Sequence, residues 1–345
     1  MIRKVDGVLM NNKQAGLSLV ELMVSITIGL ILIAGTIQIY VNSKQTYRVQ
    51  NANSRVQENA RFALNTLTSN LRQAGFVGCA NLNKVTPKIV ASPKPTFPDD
   101  LTAASAVKGS EYTGSSWTPA VPTGVLGVVA NTDVITVQYA KGCGASLTGN
   151  LASKSSDIKV TAPNSCGLKK DTIVMISDCE KADIFSVTND AGESGGEQTL
   201  AHAALSKEYQ ADAEVYVFNS STYFISNNPA GIPSLYIKDH AQNTDAVELI
   251  EGVENLQVTY GLDDGNDGVP DRYVAANTVE TAARWDHVVS LRLRMLLRTT
   301  DNVQASNFTD TDTTVSSFGT SAYSGGFMRK VFTTTIQLRN RSLVL

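Results

Sequence analysis

Between Leu22 and Ser43 the chain carries no charged residue, and Glu21 stands immediately ahead of that run. A helix of about 22 residues rises 1.5 Å per residue, enough to cross a hydrocarbon core of roughly 30 Å. A lone carboxylate in such a segment costs several kcal/mol, so it calls for a partner or a function. A secretory signal peptide has a shorter apolar core that ends in small residues. Here the bulky stretch from Ile31 to Tyr40 offers no such site, so the segment is expected to stay in the mature chain. Arg3, Lys4 and Lys13 precede it against Asp6, a positive flank that is retained in the cytoplasm. The bulk of the chain is therefore expected to face outward.

The stretch KQAGLSLVELMVSITIGLIL resembles the class III signal of type IV prepilins and pseudopilins. It joins a basic leader, a glycine before an apolar residue, a glutamate at fixed spacing and a full span. The resemblance implies that residues 1–16 are a leader removed by prepilin peptidase between Gly16 and Leu17. It also implies that the new amine of Leu17 is methylated, and that Glu21 is the fifth residue of the mature chain. Leu17 replaces the usual Phe. Initiation at Met10 would leave the shorter leader MNNKQAG. The cationic amine of Leu17 would then lie near Glu21 of its own or a neighbouring subunit, where low dielectric makes the pairing consequential and sets register between subunits. The simpler alternative is that Glu21 sits solvated at the headgroup boundary.

Beyond Tyr40 the sequence turns polar while Val49, Ala52, Val56, Ala60, Ala63, Leu67 and Leu71 recur at spacings of three and four. That is an apolar helical stripe, with Ala74-Gly75 as its stop. One helix over 17–75 is expected, membrane-spanning over about 17–43. The small residues of the stripe argue for packing on a head rather than for a coiled-coil rod. From 76 to 345 short apolar segments read as strands: 133–140, 171–177, 213–218, 221–226, 235–238, 256–262, 288–298 and 329–340. A hairpin turn is expected at Asn219 to Ser221, and a long surface loop over about 84–125, where Pro87, Pro93, Pro95, Pro98 and Pro119 fall. The fold class is α+β, a long N-terminal helix covering one face of a β-rich head. The resemblance makes it a type IV pilin-like fold. No internal repeat is visible.

A head of roughly 270 residues is large for one domain of this kind but feasible. The net charge of −3 gives no bias toward polyanions. Arg292, Arg294 and Arg298 share one side of a strand opposite Leu291, Leu293, Met295 and Leu297. No aromatic residues interleave with the arginines, so a nucleic-acid partner is not supported. The four cysteines, Cys79, Cys143, Cys166 and Cys179, all lie on the exported side, which points to two disulfides rather than a metal site. Of the three pairings, Cys79–Cys143 with Cys166–Cys179 is favoured, because the second pair would bracket one strand. His202, His240 and His287 sit in unrelated surroundings. HExxH and phosphate-loop motifs are absent, and no Cys and His stand near each other, so no enzyme is expected.

In YGLDDGNDGVPDRYV, Asp263, Asp267 and Asp271 recur every fourth residue around Gly268. Counted from Asp263, they fill the first, fifth, sixth and ninth places of a calcium loop. Gly265 leaves the third empty, and Val274 cannot supply the glutamate of the twelfth. A weak calcium site and a metal-free Asp/Gly turn are equally open readings. No other cofactor is called for.

Four blocks narrow the resemblance: QENARFALNTLTSNLRQAGFVGC at 57–79, ISDCEKADIFSVT at 176–188, ELIEGVENLQVTYGLDDGNDGVPDRYV at 248–274 and VFTTTIQLRNR at 331–341. They are similar to the PilW family of large minor pilins, while about 84–130 matches no known pattern. The resemblance implies a subunit anchored in the inner membrane with a periplasmic head before it enters the pilus. Its implied partners are prepilin peptidase, the pilus assembly machinery, the other minor pilins, the major pilin and a tip adhesin. Its implied roles are priming of assembly, twitching motility, attachment and DNA uptake. The rival readings are a minor pseudopilin of type II secretion and a membrane-anchored adhesive protein that never enters a filament.

Overall fold

The computed structural model describes residues 16, 18–91, 100–304, 313–318 and 325–341. Two compact units divide the chain, one ending at Asn51 and the other spanning Ala52–Leu345. Helix α1 (Leu19–Leu71) runs through the division. It stops one turn short of the expected end, where Gly75 takes φ +72°, a left-handed conformation that closes a helix readily only at glycine. The Gly75 N–H then donates to the Gln138 carbonyl, 2.9 Å away.

In chain order the strands are β1 (Lys88–Ile89), β2 (Val107–Tyr112), β3 (Trp117–Thr118), β4 (Val134–Ser146), β5 (Ile158–Thr161), β6 (Ile173–Ser177), β7 (Ala182–Ser186) and β8 (Glu193–Ser194). They continue with β9 (Glu197–Leu200), β10 (Glu214–Asn227), β11 (Pro233–Asp239), β12 (Val247–Glu251), β13 (Val253–Leu262), β14 (Arg272–Val274), β15 (Val288–Arg298) and β16 (Arg329–Gln337). A short helix α2 (Ala276–Thr281) separates β14 from β15, and α3 (Thr313–Ser316) precedes β16. The large sheet runs β1-β7-β6-β10-β4-β2-β3, with β11 and β12 continuing from β10. A second sheet runs β14-β13-β15-β16, and a small third one β5-β9-β8.

Two expectations are corrected here. The hairpin at Asn219 to Ser221 does not form. β10 passes straight through, paired along its length with β4, and exchanges its other neighbour midway from β6 to β11. Ser220, Ser221 and Thr222 look like turn residues but are buried ladder members. Thr222 Oγ1 meets Thr136 Oγ1 at 2.7 Å and His240 Nε2 at 2.9 Å, and the Ser220 carbonyl accepts the His240 N–H. The second correction is the loop over 84–125, which carries β1, β2 and β3 in its described part. β2 is masked in the sequence by its Lys-Gly-Ser-Glu run. Gly109 is required there, because a Cβ would fall 1.7 Å from the Tyr260 hydroxyl.

Within the second unit, the helical stripe fills the space between the two large sheets. Val56, Ala60, Ala63, Leu67 and Leu71 pack with Ile135, Val137, Tyr139, Tyr223 and Ile225 of one sheet. From the other sheet come Leu256, Val258, Leu291, Leu293 and Met295. The alanines let the helix axis approach the sheets closely, and each buried leucine contributes about 1.5–3 kcal/mol. Asn70, the polar residue of this face, is held between Tyr139 and Tyr223, its Oδ1 accepting from the Tyr139 hydroxyl at 3.1 Å and its Nδ2 donating to the Tyr223 oxygen.

The sheets are also stitched directly. The Asp133 N–H donates to the Leu256 carbonyl at 2.9 Å, and its Oδ2 accepts the Val258 N–H at 2.8 Å. Asn255 and Gln257 both donate side-chain amides to the Asn131 carbonyl. Asp133 is buried, its Oδ1 has no donor, and the neighbouring Tyr260 hydroxyl is likewise unpaired. Burial, then the Glu111 carboxyl, push the Asp133 carboxyl up to about 8, and burial also raises Glu111. Two carboxyls facing each other without a cation share a proton and hold together only while one of them is neutral.

The folded Asp133 thus keeps its proton over a range in which the unfolded residue has lost it, and the native state binds more protons than the unfolded one. Its stabilisation is complete below the ordinary carboxylate range, declines as pH rises and is gone above about 8. Asp133→Asn should keep the Val258 contact and remove the slope. Denaturant unfolding across pH 5 to 9 should show wild type losing stability relative to this variant by about 1 kcal/mol per pH unit at the steepest.

Candidate functional site

The first turn of α1 contains Glu21, and Ser18 caps it. The Glu21 N–H donates to Ser18 Oγ at 3.3 Å, so Ser18-x-x-Glu21 forms one half of a capping box. This role was legible in the Ser-x-x-Glu spacing and was missed. It gives Glu21 a second physical reason to sit where it does, since a carboxylate at a helix N-terminus is favoured by the exposed N–H groups there. Gly16 has no neighbouring atom within 4 Å of where a Cβ would be. Leu17, and the rest of the leader ahead of Gly16, lie outside the described residues.

From Leu19 to Val41 the apolar side chains are exposed around the whole helix, with Leu19 at 74%, Ile31 at 71% and Ile39 at 69%. The serine and threonine hydroxyls within this stretch are satisfied internally. Ser25 donates to the Glu21 carbonyl, Thr27 to those of Met23 and Val24, and Thr36 to that of Leu32. A helix uncovered on all sides, with its polar groups closed on its own backbone, is long and apolar enough to cross a membrane. Glu21 is its one carboxyl group.

In the second unit the disulfides are Cys79–Cys179 and Cys143–Cys166, each with Cα atoms 4.9 Å apart. This overturns the favoured pairing. The turn between β6 and β7 brings Cys179 to the segment just after α1, where Cys79 lies, and Cys166 folds back on its predecessor in β4. Adjacency in the sheet, not in sequence, decides the partners. In the chain-entropy model the bridge closing the longer loop contributes about 4–5 kcal/mol.

Among known families, two models match. The Prokaryotic N-terminal methylation motif covers residues 11–37, and Type IV Pilus-assembly protein W covers residues 222–340. The first of these matches lies on the N-terminal signal and the apolar helix, and the second on the C-terminal third of the chain. No curated protein matches. Among solved structures, a type IV-like pilin from Thermus thermophilus is similar, at 12% identity and a TM-score of 0.34. That alignment covers 83% of this chain and 98% of that one.

The methylation motif and the apolar helix fit a pilin anchored in the inner membrane. In the second unit the arginines of β15 lie against aromatic rings that come from outside the strand. Arg292 lies 4.0 Å over Tyr273, Arg294 4.7 Å over Phe318 and Arg298 4.1 Å over Phe327. The guanidinium groups cover these rings, and Arg298 also pairs with Glu254. The rings are therefore not a free platform for bases.

The loop between β13 and β14 closes on itself. Asp263 is buried and accepts the Asp267 and Gly268 N–H groups at 3.2 and 2.7 Å. Asp271 accepts those of Asp264 and Gly265, and Asp267 that of Val269. Asp264 pairs with Arg272 at 2.7 Å and Arg284 at 3.1 Å, and mainly Arg272, with a smaller contribution from Arg284, holds its carboxyl below the usual range. Among the described residues no group of three or more His, Cys, Asp or Glu side chains converges to hold a metal. Asp263, Asp267 and Asp271, the candidates for a calcium site, thus accept backbone donors here, and the arginine charge lies at Asp264. Millimolar calcium should leave the melting temperature unchanged. Asp263→Ala, which strands two backbone donors, should lower stability by about 1–3 kcal/mol with or without calcium.

Proposed function

We propose that this chain is a minor pilin that enters the filament in few copies, primes assembly together with other minor pilins and sits in the tip complex. There its head supports an adhesin or contacts surfaces directly, serving attachment, twitching motility and DNA uptake. The observation that carries the reading is the bare apolar helix with one carboxylate in its Ser18-capped first turn, ahead in sequence of a head formed by residues 52–345. Such a helix needs a surrounding of like helices or lipid. A head this large is easier to accommodate at the end of a filament than at every repeat along its shaft.

In this reading Glu21 accepts the methylated amine at residue 17 of its own or a neighbouring chain within the helix bundle. An ionised pair taken out of water is consequential because removing one partner strands the other. Insertion and assembly therefore separate. Glu21→Ala should insert into the membrane as well as wild type or better, by up to about 3 kcal/mol. It should enter sheared pili or the co-purified minor-pilin complex upward of a hundredfold less, the equivalent of about 3 kcal/mol. Unchanged incorporation would leave Glu21 with only its capping role.

Processing is the earlier step. Gly16→Val places a branched side chain at the proposed cut and should abolish cleavage, keeping the full-length precursor in the inner membrane. Mass spectrometry of the purified wild type should find a methylated Leu17 at its N-terminus; a Gly16→Val protein processed at the same bond would defeat the reading.

A further inference from the structure

Beside the Cys79–Cys179 bridge the head has a cleft of about 480 Å³ whose lining includes Lys84, Val85, Thr86, Lys88, Glu180 and Lys181. Its two walls are fastened at several points. One is the segment leading into β1, the other the turn between β6 and β7, and the disulfide ties them together. Beyond it β1 and β7 pair in parallel, Lys88 opposite Asp183 and Ile89 opposite Ile184, and the Val90 N–H donates to the Ile184 carbonyl. The turn itself is locked by Asp178, whose Oδ1 accepts the N–H groups of Glu180 and Lys181 at 3.3 and 3.0 Å.

The charges around this cleft are unevenly matched. Lys207 pairs with Asp178 and lies 3.7 Å from Glu180. Asp183, buried behind Ser206, accepts that residue's N–H and hydroxyl, both at 2.8 Å. Asp178 is thus committed, Glu180 is exposed in the lining, and Asp183 is buried opposite Lys88, while Lys84, Lys88 and Lys181 form no ion pair among the described residues. Three lysines against one exposed carboxylate in the lining leave the concave site with an excess of positive charge.

We propose that this cleft binds a sugar unit carrying sulfate or phosphate, with Lys84, Lys88 and Lys181 holding the anionic oxygens. Ammonium groups are compact point charges with three donors each, which suits the several oxygens of a tetrahedral oxyanion. The volume lies in the range of small-ligand sites and accommodates one or two sugar rings. The site gives the head of a surface appendage a means to hold charged glycans. It does not depend on where in the filament the head sits, so its failure and that of the pilus reading are distinguishable.

The test is calorimetry on the full-length protein in detergent, with a heparin-derived sulfated disaccharide, a sugar phosphate, an unmodified disaccharide and a short single-stranded DNA as probes. Binding of a charged sugar, weakening with salt and absent for the neutral one, is expected, and the two charged sugars show which oxyanion is preferred. Lys84→Gln with Lys88→Gln should weaken it about tenfold, the Arg pair at the same positions should restore most of it, and unchanged melting temperatures should show the fold intact. Cys79→Ser with Cys179→Ser should weaken binding by freeing the walls; if that variant does not fold, the lysine variants decide alone. No binding at millimolar charged sugar, equal binding of the neutral disaccharide, indifference to the lysine substitutions, or binding of DNA alone would each overturn the proposal.

Discussion

The packing of the α1 stripe between two sheets is the contact from which the head is built. Val56, Ala60, Ala63, Leu67 and Leu71 touch residues of both sheets, so neither sheet buries its inner face without the helix. Small side chains at 60 and 63 set how near the helix comes. That distance in turn decides that β4 and β13 lie close enough for Asp133 to bond across to Leu256 and Val258. The Gly109 vacancy that admits the Tyr260 hydroxyl belongs to the same close approach. A bulkier stripe would separate the sheets and undo these polar stitches together.

Much of this was legible in the residues, for physical reasons. A period of three and four sustained from 49 to 71 has no other good interpretation, and β13 and β15 stand out as apolar runs because most of their residues are buried. The prepilin signal was legible because a charge inside an apolar run is costly and therefore informative. What escaped depends on neighbours distant in sequence. Ser220 and Ser221 look like a turn until β4, β6 and β11 supply their partners. Cys79 and Cys179 are separated by 100 residues and meet only because the β6–β7 turn comes to the end of the helix. β2 hides behind polar residues, and only its pairing with β4 makes it a strand.

The loop after β13 shows how the same composition supports two chemistries. Regularly spaced aspartates with glycines can gather around a cation or fold onto their own N–H groups. Here Arg272 and Arg284 at Asp264 provide positive charge from within the protein, and the aspartates on either side are spent on the backbone. Arginines recur as internal counterions on this sheet, with Arg298 and Arg329 sharing Glu254. Lysines, by contrast, stay unpaired at the β1–β7 cleft.

The end of α1 is finished from far along the chain. The Asn340 side chain donates to the Gln73 and Ala74 carbonyls, and Arg341 is buried with its guanidinium on the Trp285 carbonyl. Orphan carbonyls at a helix terminus need such donors. In a polypeptide that crosses the membrane in sequence order, residues 339–341 follow every described strand, so the helix remains uncapped until they emerge. Closure of the head therefore reports that translocation has reached its last described turn. A chain ending earlier would present the Gln73 and Ala74 carbonyls without the Asn340 amide, and an unfilled seat for Arg341.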